Sequence, residues 1–129
     1  MVAPRQKILF VEDEEALQVS LTSALKEAGY KPVSAYDGET AIALAEREHP
    51  DLILLDIILP RRSGFEVLEE LKSNESTRDI PVIVLTNLER ISDVERMLSL
   101  GATNYLVKAN YEISDILTKV RQILDRPKL

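Results

Sequence analysis

The sequence predicts an α/β fold, a three-layer sandwich in which helices cover both faces of a five-stranded parallel sheet. Three observations carry this. Short apolar runs alternate along the chain with longer stretches whose apolar residues recur at helical spacing. Two mid-chain runs, "DLILLDIIL" (51–59) and "IPVIVLT" (80–86), show no polar–apolar alternation, which marks strands covered on both faces. A helical stretch follows every strand-like run, so the connections are right-handed crossovers between parallel strands.

The elements follow in the order βαβαβαβαβα. "KILFV" (7–11) is a short buried strand. "EEALQVSLTSALKEAG" (14–29) then puts Leu17, Leu21, Ala24, Leu25 and Ala28 on one stripe, and Gly29 stops the helix. "KPVSAY" (31–36) is the second strand. Asp37 caps the next helix, "GETAIALAEREH" (38–49), whose Ala41, Leu44 and Ala45 share a face. "DLILLDIIL" is the third strand. Ser63 and Glu66 stand at capping-box spacing at the start of "SGFEVLEELK" (63–72). "IPVIVLT" is the fourth strand. Ser92 and Glu95 repeat the capping-box spacing in "SDVERMLSLG" (92–101), which Gly101 ends. "NYLVK" (104–108) is the fifth strand. The last helix, "EISDILTKVRQIL" (112–124), aligns Ile113, Ile116, Leu117, Val120, Ile123 and Leu124. The whole reads as one domain over residues 1–129, its core running from about residue 7 to 125, with loose ends at "MVAPRQ" and "DRPKL".

Composition narrows the function. There is no Cys, hence no disulfide framework, thiolate nucleophile or Cys-based metal site. The net charge of −6 disfavours direct nucleic-acid binding, which needs clustered Lys and Arg. No apolar run reaches membrane-span length and the N-terminus has no signal-peptide core, so the cytoplasm is the expected location.

A doubly wound sheet of five strands in the order 2-1-3-4-5 binds ligands beyond the carboxyl ends of its strands, where the winding reverses. Those ends carry Glu12 and Asp13, Asp56, Thr86, and Lys108. Tyr36 and Asp37 end the second strand, at the sheet edge. Carboxylates brought this close need a cation, and hard oxygen ligands without His or Cys suit Mg²⁺. A hydroxyl and an ammonium add what a phosphoryl group uses. Each residue has a plainer reading alone. Glu12 to Glu15 suit a helix N-terminus, Thr86 a cap and Lys108 an exposed strand end. An Asp inside "LILLDIIL" resists such a reading, because a buried Asp needs a partner. His49, the only histidine, reads as a solvated turn residue.

The stretches "ILFVEDEEAL", "HPDLILLDIILPRRSGFEVLEEL", "IPVIVLT" and "GATNYLVK" resemble a response-regulator receiver domain of two-component signalling over essentially the whole chain. The resemblance implies the flavodoxin-like (βα)5 form of the fold. It implies Asp56 as phosphoacceptor, and Glu12, Asp13, Asp56 and the backbone carbonyl of Ile58 as ligands of Mg²⁺. Thr86 is then the switch hydroxyl, Lys108 the lysine that pairs with the phosphoryl group, and Tyr105 the aromatic switch. Pro60 and Gly64 match the loop after the phosphoacceptor. A sensor histidine kinase or histidine phosphotransfer protein is implied upstream, and an effector protein or output domain downstream. The role is that of a signalling receiver, which catalyses only its own phosphorylation and dephosphorylation. Ile58 and Leu88, two residues beyond Asp56 and Thr86, are expected to restrict the water that hydrolyses the acyl phosphate.

One departure stands out: such domains carry proline after the lysine, and here Ala109 follows Lys108. A cis bond before a non-proline residue costs ~3–4 kcal/mol, so this bond is expected to be trans and the loop after it reshaped. Other readings are an interaction module that never turns over phosphate, a small Mg²⁺-dependent phosphatase, and a flavin-binding fold. The first would be expected to lose site residues that are all present. The second needs a general acid, for which only Glu14 offers itself, and the third needs Gly, Ser and Thr where carboxylates stand. No DNA-binding or catalytic segment follows the last helix within the sequence, which leaves a stand-alone receiver and a piece of a longer regulator both open.

Overall fold

A computed structural model describes residues 5–88 and 90–125. The strands are β1 (Lys7–Val11), β2 (Lys31–Ala35), β3 (Leu52–Leu55), β4 (Val82–Thr86) and β5 (Asn104–Val107). The helices are α1 (Glu15–Glu27), α2 (Gly38–Glu48), α3 (Gly64–Ser73), α4 (Ile91–Ser99) and α5 (Ile113–Leu124). The strands pair in the order β2-β1-β3-β4-β5, all parallel. Much of "MVAPRQ" and "DRPKL" lies outside the described residues.

Alternation within each strand sorts side chains between two layers. Ile8, Phe10, Leu52, Leu54, Ile83 and Leu85 face α1 and α5, where Leu21, Leu25, Ile116 and Val120 meet them. Leu9, Val11, Ile53, Leu55 and Val82 face α2 and α3. Every residue of β3 and β4 is buried, as the unbroken apolar runs imply, whereas β2 and β5 are partly exposed edges. A third, smaller cluster of Ile57, Phe65, Val84 and Met97 seats α4.

The helix ends follow local chemistry, with two corrections. Gly29 and Gly101 take φ of +96° and +105° just past α1 and α4, a conformation other residues resist. Asp37 Oδ1 accepts the Thr40 N–H at 2.8 Å, and Ser63 Oγ accepts the Glu66 N–H at 3.3 Å. Glu66 does not return the bond; its carboxylate lies 3.4 Å from the Arg62 guanidinium. The capping box expected at Ser92 and Glu95 does not form. α4 starts at Ile91 with Arg90 as its N-cap, so Ser92 is already helical and lacks the extended backbone a cap requires. His49 is exposed and closes α2 in a left-handed conformation, φ 46°.

No described peptide bond is cis, so Lys108–Ala109 is trans. The chain past β5 winds into a 3₁₀ turn, Lys108–Asn110, before α5.

Candidate functional site

The sheet delivers the polar residues to one rim. β1 and β3 run in register to Val11↔Leu55, and the Asp56 N–H still bonds the Val11 carbonyl at 3.0 Å. Glu12 and Asp56 therefore leave the sheet side by side. β4 and β5 stay paired to Thr86↔Val107, which puts Lys108 one step beyond the last pair. From there its ammonium lies 2.5 Å from Glu12 Oε1 and 2.9 Å from Asp56 Oδ2. Carboxylate oxygens of Glu12, Asp13 and Asp56 lie within 4.8 Å of one another. Glu12 and Asp56 are only 1% and 5% exposed, while Asp13 faces solvent.

Burial sets the charges. Desolvation raises the Glu12 carboxyl above its ordinary range, although the Lys108 ammonium and the Glu14 N–H oppose it. Burial also pulls Lys108 down, but its bonds to Glu12 and Asp56 outweigh that and hold the ammonium charged. Glu12 Oε2 accepts the Glu14 N–H at 3.0 Å. Oε1 is buried with no well-aligned hydrogen bond, despite the ammonium beside it. One lysine among three clustered carboxylates, all hard oxygen donors, leaves a site that fits a small divalent cation.

The remaining expected residues surround this centre. The Thr86 side chain is fully buried, and its hydroxyl accepts the Leu88 N–H at 3.4 Å. Tyr105 is half-buried and packs with Leu88 against the α4 cluster. The Ile58 N–H donates to Asp56 Oδ1 at 3.3 Å, and its side chain is 62% exposed. Gly64 N–H donates to the Ile57 carbonyl at 2.7 Å, and any Cβ there would collide with the Asp56 carbonyl and Ile57 Cα. Tyr36 is exposed at the rim of β2, and Asp37 caps α2 rather than joining the site.

The sequence reading missed Gln18. Its amide, 1% exposed, donates to the carbonyls of Phe10, Glu12 and Ala35 at 3.0, 3.1 and 3.0 Å. It thereby fastens α1 to the ends of β1 and β2, just beneath Glu12. The signal was present: a glutamine standing three and seven residues before Leu21 and Leu25, on the buried stripe.

The model of the response regulator receiver domain matches residues 8–121. The chain belongs to that family. This receiver domain is 39% identical over 120 residues to the DNA-binding dual master transcriptional regulator RpaA of Synechocystis sp., covering 93% of the chain and 49% of that protein. It is 37% identical over 122 residues to the transcriptional regulatory protein PdtaR of Mycobacterium tuberculosis, covering 94% of the chain and 58% of that protein. The chain thus spans about half the length of the curated relatives it matches. A CheY-like receiver domain protein from Methanospirillum hungatei aligns with it at TM-score 0.88 and 29% identity, over 95% of each chain. The receiver domain of a sensor histidine kinase from Pseudomonas aeruginosa, solved with a magnesium ion in its active site cleft, aligns at TM-score 0.86 and 30% identity, over 95% of this chain and 100% of that one. Among the described residues of the receiver domain, no helix is long and apolar enough to cross a membrane.

Proposed function

We propose that Asp56 accepts a phosphoryl group from a phosphohistidine on a sensor kinase or phosphotransfer protein, or from a small acyl phosphate. The observation that carries this is the Lys108 ammonium held between the buried carboxylates of Glu12 and Asp56. An Asp56 oxygen attacks phosphorus and the bond to the donor breaks; the imidazole nitrogen of a phosphohistidine, or the carboxylate oxygen of an acyl phosphate, departs with that electron pair. The product is an acyl phosphate on Asp56. Lys108 already touches the carboxylate that will carry the new group, so its ammonium meets a phosphoryl oxygen without a long search.

The carboxylates of Glu12, Asp13 and Asp56 would hold Mg²⁺, with the Ile58 carbonyl, by the family resemblance, as a further ligand. When bound, Mg²⁺ supplies neutralisation of the charge on the transferring oxygens. The magnesium found in the Pseudomonas neighbour supports this choice of ion. Thr86 turns its hydroxyl from the Leu88 N–H toward the phosphoryl group, and Tyr105 takes up the vacated space, changing the face made by α4, β5 and α5. Ile58 and Leu88, each two residues past a site residue, limit the water that hydrolyses the acyl phosphate; the exposure of the Ile58 side chain fits this role. This receiver acts as one cytoplasmic domain toward a downstream effector or output domain. It binds no nucleic acid itself, whatever the rest of a longer regulator does.

Incubation with acetyl phosphate and Mg²⁺ should place base-labile label on the protein, and Asp56→Asn should abolish it. Full labelling of that variant overturns the assignment.

A further inference from the structure

We propose that Asn87 is a positioning residue for Lys108, acting through the backbone N–H that Ala109 offers in place of a proline. The proposal rests on the phosphoacceptor reading of the site. The β4–β5 ladder ends at Thr86↔Val107. Lys108 is the next residue, and past it the backbone has left the sheet. Its 3₁₀ turn is closed by a long bond, Tyr111 N–H to the Lys108 carbonyl at 3.4 Å. A proline at 109 would fix this stretch through its ring and would have no N–H to give. Alanine does neither by itself, yet its N–H donates to Asn87 Oδ1 at 3.2 Å.

Asn87 is the residue after Thr86, at the same rim. Its side-chain carbonyl therefore does what a further ladder carbonyl would do, one step past the sheet. Lys108 is bracketed by the Thr86↔Val107 pair before it and the Asn87–Ala109 bond after it. Its ammonium must span from this edge strand to Asp56, at the end of a strand two places away in the sheet. A slack backbone at 108–110 would spread the ammonium over many positions and slow transfer. The same bond joins the residue after Thr86 to the residue after Lys108, so the two respond together when Asp56 gains a phosphoryl group.

The test uses Asn87→Ala, Ala109→Pro and the double variant, with acetyl phosphate as donor. Removing one such bond should slow Asp56 phosphorylation roughly threefold to tenfold. Exchange of the Ala109 amide should speed by a similar factor, with the Val107 amide unchanged. In the Ala109→Pro background, where no N–H remains, Asn87→Ala should change nothing further. An unchanged rate in Asn87→Ala, or the same loss in both backgrounds, overturns the proposal. Asp56→Asn, run alongside, separates the two readings. Label persisting in that variant sinks the phosphoacceptor assignment, and label lost there with Asn87→Ala unaffected sinks only the role of Asn87.

Discussion

Gln18 shows how a single buried amide underwrites the acidic rim. One side chain satisfies three backbone carbonyls from two strands. Leucine at 18 would fill the space and remove those bonds, although the Ala35 carbonyl would keep the Glu12 N–H and the unpaired Gln18 Oε1 would be gone, so Gln18→Leu should destabilise the fold by roughly 1–3 kcal/mol in urea titrations. Gln18→Glu should cost more at neutral pH, because a carboxylate would face carbonyl oxygens. A Gln18→Leu variant as stable as the parent would remove the amide from this role. Gln18 and Asn87 both act through side-chain bonds to backbone. Gln18 at least stands on the buried stripe of α1, whereas Asn87, in a loop, carries no periodic mark. Asp56, Glu12 and Lys108 were legible because each interrupts or ends an apolar run where the winding of the sheet makes position meaningful.

Among the elements, α2 offers a clean test of capping. Asp37 accepts the Thr40 N–H, and this bond, ahead of the weaker Thr40 hydroxyl and Arg61 contributions, lowers its carboxyl below the ordinary 3.8. A group depressed in the folded state contributes its stabilisation in full above the unfolded value and loses it as pH falls through the folded one. Asp37→Asn keeps an acceptor but cannot titrate. Its stability relative to the parent should therefore improve between about pH 5 and pH 2, while Asp37→Ala should cost about 1 kcal/mol at neutral pH. Urea midpoints across that range measure both, and a parallel pH course for parent and Asn variant would contradict the cap. Helix starts were the least legible elements. Ser63 matched its expected bond, but the same spacing at Ser92 misled, since the pattern cannot say where the backbone first turns helical.

For the whole molecule, strand order and both layers could be read from the alternation of apolar runs, because a parallel sheet must be covered twice. The coupling of site to stability could not. Three carboxylates crowd one end of an otherwise apolar sheet. A divalent cation that binds only the folded chain should raise its stability by about 2.7 kcal/mol at a hundredfold excess over its dissociation constant. Thermal unfolding with Mg²⁺ and with a chelator reads this directly. Asp13→Asn should shrink the increment, and an equal shift in parent and variant would place the ion elsewhere.

Asp56 and Ile57 are joined by one peptide bond yet belong to different worlds: the first opens on the rim, and the second is packed beneath α4 with Phe65, Val84 and Met97. α4 itself buries only Met97 fully and leans on α3 through Arg96 stacked 4.1 Å from the Phe65 ring centre, while α1, α2, α3 and α5 bury two or more residues each. Cohesion and responsiveness are thus assigned to separate parts of the chain. Substitutions at the exposed Ile91 and Leu98 can redirect what α4 meets, and the four better-anchored helices keep the sheet intact while they do.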